Sequence, residues 1–148
     1  MEKLIIETQD QAEALVIDGL LKFDGHIIFK CAIKAGWSIK AGGSIKAGES
    51  IEAGEFIKAG WSIKAGEYIK AGEYIKAGGS IKAGEYIKAG EYIKAGEYIE
   101  ADGSIEAGYD WGISCGFSLR ISMQSKATIT AKTKPANILC GKFVQAIE

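Results

Sequence analysis

Isoleucine recurs every six residues through most of this chain, from residue 27 to residue 105. From residue 33 onward, Ala stands two positions after each of these isoleucines, and Gly follows each Ala except at Asp102. Lys or Glu occupies the position between Ile and Ala. The unit Ile-Lys-Ala-Gly-x-x is therefore repeated thirteen times over residues 33–110 without an insertion.

A six-residue period fits poorly to the 3.6 residues of a helical turn and well to short strands joined by tight corners. In the segment Tyr74-Ile75-Lys76-Ala77, alternation places Ile75 and Ala77 inside and the other two side chains outside. Gly78 is expected to turn the chain because glycine tolerates backbone angles that other residues do not. A helix would scatter the isoleucines and place a glycine in its interior in every repeat. The pattern predicts an all-β, three-sided β-solenoid in which three repeats form one coil.

The chain before the repeats is predicted to cap the solenoid with a strand and a short helix. Residues 3–7 have the pattern of a strand, and Thr8 with Gln11 forms a capping-box pattern. A helix is expected from residue 9 to residue 18, ended by Gly19. This helix would cover strand edges that otherwise invite pairing with another chain.

The first coil is expected to be wider than the later coils. Leu21 and Ile27 already keep the six-residue phase, but Phe23 and Phe29 stand where the later repeats have Ala. Two aromatic rings in the small inward positions need more room, so this coil is expected to pack against the helix.

The chain after residue 110 loses the repeat and keeps a strand pattern. Residues 111–123 alternate between apolar and small or polar side chains, which predicts one long, half-buried strand. Residues 127–132 and 138–144 are predicted to be further strands joined by a turn at 134–137. The predicted regions are an N-terminal cap (1–26), a repeat solenoid (27–110) and a C-terminal β cap or dimerisation segment (111–148).

The Ile-Lys-Ala-Gly-x-x repeat resembles hexapeptide β-solenoids, such as the left-handed acyltransferase helices and the polymer-forming bactofilins. Together with its distinct ends, the Lys-Ala-Gly-rich repeat also resembles small repeat proteins encoded by phages and prophages. The phage resemblance implies a role against host defence. The acyltransferase resemblance implies a catalytic His, yet His26 lies in the predicted cap and no loop interrupts the repeats.

Residues eighteen apart are expected to stack into columns on the outer surface. The columns that suggest a contact surface hold aromatic and basic side chains: Phe56, Tyr74 and Tyr92, then Lys58, Lys76 and Lys94, with Trp61 at a corner. Two interpretations remain open at this point. In the first, the aromatic rings stack only to stabilise the fold. In the second, the exposed aromatics and cations of these columns bind a partner, which is a protein or, less favoured, single-stranded nucleic acid. Acidic corner rows would also suit a mimic of DNA, but the neighbouring lysine rows neutralise their field.

The remaining composition argues against catalysis and against nucleic acid as a partner. The net charge is −1, and the glycines form corners rather than a phosphate-binding motif. The cysteines, Cys31, Cys115 and Cys140, have no metal-ligand spacing and are expected to be reduced thiols. No apolar run suits a signal peptide or a membrane span, so the protein is expected in the cytoplasm, or in the host cytoplasm if it is encoded by a phage.

The sequence predicts a non-catalytic β-solenoid that needs no metal or cofactor and binds a protein partner. The most specific form of this hypothesis is that the protein is a phage-encoded inhibitor of a host nuclease or defence complex, of the anti-CRISPR type. The alternative is a self-assembling structural protein of the bactofilin type. The chain is expected to be a monomer, or a homodimer through its C-terminal segment.

Overall fold

A computed structural model shows an all-β solenoid with one short helix. The structure describes residues 1–108, 112–116, 118–121, 128–131, 138–140 and 142–145, and beyond residue 116 it describes the side chain of Phe143 alone. The helix α1 spans Gln9–Ala14. The strands within the described residues are β1 Lys3–Ile6, β2 Leu20–Phe23, β3 His26–Phe29, β4 Ile33–Ala35, β5 Ser38–Ala41, β6 Ile45–Ala47, β7 Ile51–Ala53, β8 Ile57–Ala59, β9 Ile63–Ala65, β10 Ile69–Ala71, β11 Ile75–Ala77, β12 Ile81–Ala83, β13 Ile87–Ala89, β14 Ile93–Ala95, β15 Tyr98–Ala101, β16 Ile105–Glu106, β17 Ile113–Cys115, β18 Ser118–Ile121, β19 Thr128–Ala131, β20 Ile138–Cys140 and β21 Lys142–Gln145.

These strands form three parallel sheets that run along the solenoid axis. One sheet has the order β1-β3-β6-β9-β12-β15-β18-β20, the second β21-β19-β16-β13-β10-β7-β4, and the third β17-β14-β11-β8-β5-β2. Within the repeats, each strand pairs with the strand three places later, so that Ile57 lies beside Ile75 and Lys58 beside Lys76. This eighteen-residue register confirms the predicted three-sided coil.

The core consists of the stacked isoleucines and alanines. The isoleucine side chains from Ile39 to Ile105 are 0% exposed, and each Ala two positions later is also buried. The side chain between them points outward, as at Lys76. Burying an isoleucine is worth roughly 2 kcal/mol, and each coil buries its apolar side chains only because neighbouring coils cover them.

The corner glycines have a different role from the one expected. Among the described residues, Gly19 alone is a glycine with a positive φ, 78°. At Gly78, a Cβ atom would collide with the carbonyl oxygen of Gly60, and the same contact recurs between Gly54 and Gly36. The expectation that Gly78 supplies unusual backbone angles is therefore wrong. Glycine is needed because successive coils approach each other too closely at the corner for any side chain.

The N-terminal helix begins as predicted but ends early. Thr8 Oγ1 accepts a hydrogen bond from Gln11 N at 3.4 Å, and Gln11 Oε1 accepts one from Thr8 N at 3.3 Å, which completes the capping box. The helix ends at Ala14 rather than at residue 18. Gly19 instead belongs to a tight turn in which Asp18 (φ 49°) and Gly19 both have left-handed angles.

The helix packs against β4 and β1 and buries Ala12 completely. In the first coil, Phe29 is 1% exposed and lies beside Ala47, while the half-buried Phe23 lies beside Ala41. The two aromatic rings therefore occupy the alanine register, as predicted.

The single strand predicted for residues 111–123 is wrong. β17 pairs with β14 in one sheet, whereas β18 pairs with β15 in another. Gly116 lies between them, where a Cβ atom would meet the carbonyl oxygen of Gly96, as at the corners of the repeats. The predicted strand at 138–144 is likewise divided into β20 and β21. β19 lies within the predicted strand at 127–132, and the predicted turn at 134–137 lies outside the described residues.

We expect Gly78→Ala and Gly79→Ala to differ in their effect on stability, although the two positions are adjacent. At Gly78 the added Cβ meets backbone, and the overpacking should lower the free energy of unfolding by about 1–3 kcal/mol. At Gly79 the added Cβ lies 3.0 Å from Ser62 Oγ, a side-chain atom, and no closer than 3.3 Å to backbone, at the Trp61 carbonyl oxygen, so the loss should be under about 1 kcal/mol. Urea unfolding followed by circular dichroism measures both, and equal losses would contradict the close-approach explanation.

Candidate functional site

The outer surface of the solenoid has three faces, which differ in their side chains. Each face consists of the outward side chains of one sheet, including the residue directly before each strand. We call the face of β2, β5, β8, β11 and β14 the lysine face, that of β6, β9, β12 and β15 the serine face, and that of β4, β7, β10, β13 and β16 the mixed face. The lysine face holds six of the seven residues predicted as a contact surface: Phe56, Tyr74, Tyr92, Lys58, Lys76 and Lys94. Trp61 lies at the corner that leads from this face to the serine face.

The aromatic rings of the lysine face form a stacked ladder. The ring centroids of Phe56 and Tyr74 are 4.9 Å apart with an interplanar angle of 1°, and Tyr74 and Tyr92 have the same geometry. Inside this ladder the ring faces contact one another, so the ladder offers ring edges and hydroxyl groups to a partner. Nucleic-acid bases need free ring faces for stacking, and this geometry therefore disfavours base stacking along the ladder.

The lysine row beside the ladder is a run of like charges. The row pairs in register from strand to strand and contains Lys22, Lys40, Lys58, Lys76 and Lys94. Two unit charges about 5 Å apart repel each other by roughly 0.8 kcal/mol even in bulk water. The next position in the row after Lys94 is Ser114, so the described part of the row contains no acidic residue.

The other two faces have acidic residues within their lysine rows. Lys34 pairs with Glu52 and Lys88 with Glu106 on the mixed face, each at 3.2 Å. Lys82 pairs with Glu100 on the serine face, also at 3.2 Å. These three ion pairs are the ones found among the described residues. The lysine face is therefore the face whose row has no internal compensation.

An acidic corner row borders the ladder on the side away from the lysines. It contains Glu55, Glu73 and Glu91, whose backbones are joined by hydrogen bonds of 2.6–2.7 Å. Burial is the main cause that raises the pKa of the Tyr74 phenol, and Tyr92 and these three carboxylates raise it further. Tyr74 therefore keeps its proton at neutral pH and presents a hydroxyl donor between an acidic and a basic row.

Trp61 is held in place by the single histidine of the chain. The ring centroids of Trp61 and His26 are 4.9 Å apart, and the rings meet edge-on at 83°. Gly43 occupies the intervening coil, where a Cβ atom would lie 2.8 Å from His26 Nδ1. The same Nδ1 accepts a hydrogen bond from Ser44 N at 3.0 Å. His26 thus positions an indole that is 57% exposed.

Sequence reasoning missed two apolar residues at the N-terminal end of the lysine face. Leu20 lies beside Ser38 and begins the column that continues as the aromatic ladder. Trp37 is 58% exposed and begins the corner row that continues as Glu55. Counting in steps of eighteen from Phe56 and Glu55 would have found both.

The cysteines and acidic residues show no metal chemistry in the described part of the chain. No group of three or more potential metal ligands occurs among the described residues. Cys31 and Cys115 are free, half-buried thiols. Burial raises the pKa of Cys115, and a hydrogen bond with the Ile99 backbone, which lowers this pKa, offsets only part of the rise. The side chain of Cys140 lies outside the described residues.

We expect the protein to lose stability as the pH rises above about 10. Burial raises the pKa of both Tyr74 and Tyr86 above the usual value of about 10. The fold thus favours the neutral phenols, and this contribution is complete below pH 10 and lost as the pH passes the folded-state values. The double substitution Tyr74→Phe and Tyr86→Phe should reduce the alkaline fall in Tm, whereas Tyr98→Phe, at an exposed position, should not. Equal falls in all three proteins would contradict the assignment.

A scan against protein-family models, a search of curated proteins and a search of solved structures each returned no match for this chain. Within the described residues, no helix is long and apolar enough to span a bilayer.

Proposed function

We propose that this protein is a non-catalytic, rigid rod that binds an acidic surface of a protein partner along its lysine face. The observation that carries the proposal is the row from Lys22 to Lys94, which contains no acidic residue and lies beside an aromatic ladder, in a molecule whose other faces have lysine–glutamate pairs within their rows. An acidic partner relieves the repulsion within this row and gains charge-assisted hydrogen bonds.

The aromatic side chains give the same face the composition of a binding hot spot. Tyr and Trp are enriched among the residues that dominate binding energies, because they bury a large area at a low entropy cost. Tyr74 and Tyr92 are half-buried in the ladder, and Trp37 and Trp61 are exposed at the two flanking corners. The stacked coils hold these groups in fixed positions, which reduces the entropy lost on binding.

A protein partner fits this face better than nucleic acid does. The row Glu55, Glu73 and Glu91 runs parallel to the lysines and would repel a second line of phosphates. The stacked rings offer edges rather than faces for bases to stack on. A protein surface can place its own acidic and basic groups opposite both rows.

The resemblance to phage-encoded repeat proteins supports a more specific proposal for the identity of the partner and the effect of binding. In that proposal, the chain is an inhibitor of a host nuclease or defence complex, of the anti-CRISPR type. The lysine face would then cover an acidic surface that the host protein needs for its activity.

Self-assembly of the bactofilin type is the second candidate function, and the N-terminal end of the solenoid favours it. β1 and β2 are the outermost strands of two sheets, and α1 packs against β4 of the remaining sheet and against β1. The backbone of Leu20 in β2 is bonded to Ile17, so the edges without a partner strand among the described residues are those of β1 and of the rest of β2. Ile5 on β1 and Leu20 on β2 are exposed. Open strand edges with apolar side chains are places where a second chain can add.

Capture of partners by immobilised protein tests the leading proposal. Bait proteins are exposed to a lysate of bacteria that express defence nucleases, and bound proteins are identified by mass spectrometry. The double substitution Lys58→Glu and Lys76→Glu should remove an acidic partner that the unchanged protein retains. The matched control, Lys46→Glu and Lys64→Glu on the serine face, makes the same change in charge and should retain it.

The partner is also expected to be released as the salt concentration rises, because the contacts are ionic. A partner retained equally by both double variants would contradict binding through the lysine face. Filaments seen by negative-stain microscopy of the purified protein, in the absence of any captured partner, would favour self-assembly.

A further inference from the structure

A second aromatic ladder, on the mixed face, ends in an open cleft. The rings of Tyr68 and Tyr86 stack with centroids 4.9 Å apart and an interplanar angle of 1°. One coil further along the same column is Ser104, whose small side chain leaves the next place in the ladder empty. A cleft of about 330 Å³ lies here, lined by Lys70, Tyr86, Lys88, Ser104 and Glu106. Tyr86 therefore has one ring face against Tyr68 and the other towards this cleft.

The charges around the cleft leave one cation without a partner. Lys88 forms an ion pair with Glu106 at 3.2 Å, and Ser104 Oγ donates a hydrogen bond to the same carboxylate, also at 3.2 Å. These contacts neutralise Lys88 and hold Glu106 in place. Lys70 has no ion-pair partner among the described residues. In the register of the sheet it lies between Lys88 and Glu52, and Glu52 is already paired with Lys34 at 3.2 Å. The lysine side of the cleft thus carries a net positive charge.

The opposite side of the ring is acidic. Glu85 immediately precedes Tyr86 at the corner and acts on its phenol. Glu52 and Glu106 also act on this phenol, but they lie in the lysine row, where they are paired with Lys34 and Lys88. An anionic group bound beside Tyr86 is consequently directed away from the corner and towards Lys70. The cleft combines a flat aromatic surface with a net positive charge in the lysine row and a carboxylate at the corner.

The ring face of Tyr86 beside Ser104 suits a planar group. Successive ladder rings are 4.9 Å apart, so a planar ring at the level of Ser104 would continue the ladder by stacking on Tyr86. Stacking on tyrosine accepts many ring systems because every base or aromatic ring has a π face. The volume lies in the ordinary range of small-molecule pockets.

From this geometry we infer that the Tyr86 cleft binds a planar aromatic ring that carries an anionic group, of which a nucleoside monophosphate is the representative. The ring stacks on Tyr86 in the empty place above Ser104, and the anionic group pairs with Lys70. The site lies on the mixed face, so its occupancy does not depend on the protein partner proposed for the lysine face.

Titration with AMP by isothermal calorimetry tests this site on the full chain. AMP should bind about tenfold or more tightly than adenosine, which lacks the anion, and than inorganic phosphate, which lacks the ring. Lys70→Gln should weaken AMP binding about tenfold, since a hydrogen bond to a charged group is lost. Lys64→Gln, on the serine face, makes the same change elsewhere and should leave the affinity unchanged. Indole-3-acetate, an aromatic carboxylate, shows whether the site prefers a nucleotide or a simpler aromatic acid.

A second pair of variants tests the place of binding. Ser104→Tyr should continue the ladder, fill the cleft and abolish AMP binding, while Ser50→Tyr extends the same ladder at its other end and should leave the cleft open. Amide resonances of Tyr86 and Ser104 should shift on AMP addition in the unchanged protein. Absence of AMP binding at millimolar concentration, equal affinity for AMP and adenosine, or full binding by Lys70→Gln would each overturn the inference.

Discussion

The backbone hydrogen bonds that run along the solenoid axis are the constraint on which the rest of this structure depends. Ile57 N donates to Tyr74 O at 3.0 Å, and at the following corner Gly60 N donates to Ala41 O at 3.1 Å. These bonds lock each residue beside the one eighteen positions away, without slippage through the repeats. The corners can follow the same spacing only because Gly lets one carbonyl oxygen approach the next coil.

This register makes every column a stack of similar side chains, and the consequences depend on chemistry. Isoleucine on isoleucine fills the core, and tyrosine on tyrosine forms a parallel ladder. Lysine on lysine is unfavourable, so the mixed face offsets it with Glu52 and Glu106. The lysine face lacks this compensation, and the mixed-face ladder stops at Ser104. Both departures from the stabilising pattern lie on the outer surface, where they leave the core unchanged, and each is the basis of a binding site proposed above.

The sequence was sufficient to predict the core and the three faces, because a column requires only a six-residue period and strand alternation. It was insufficient for features that depend on contacts between coils. The role of Gly78 was misassigned because the nearby carbonyl belongs to Gly60, eighteen residues earlier. The alternation over 111–123 did not reveal the change of sheet around Gly116. The lysine row was visible in the sequence, but the ion pairs that distinguish the other faces and the cleft beside Tyr86 required side-chain positions.

The most direct test of the account is the stability of two charge reversals in urea at low salt. Lys76 lies between Lys58 and Lys94, so Lys76→Glu should replace two repulsions by attractions and raise the free energy of unfolding by up to about 1 kcal/mol. Lys34 is paired with Glu52, so Lys34→Glu should lower it by a similar amount. Both effects should shrink at high salt. If Lys76→Glu destabilises the protein as Lys34→Glu does, the lysine face carries no unrelieved repulsion, and the argument for an acidic partner fails.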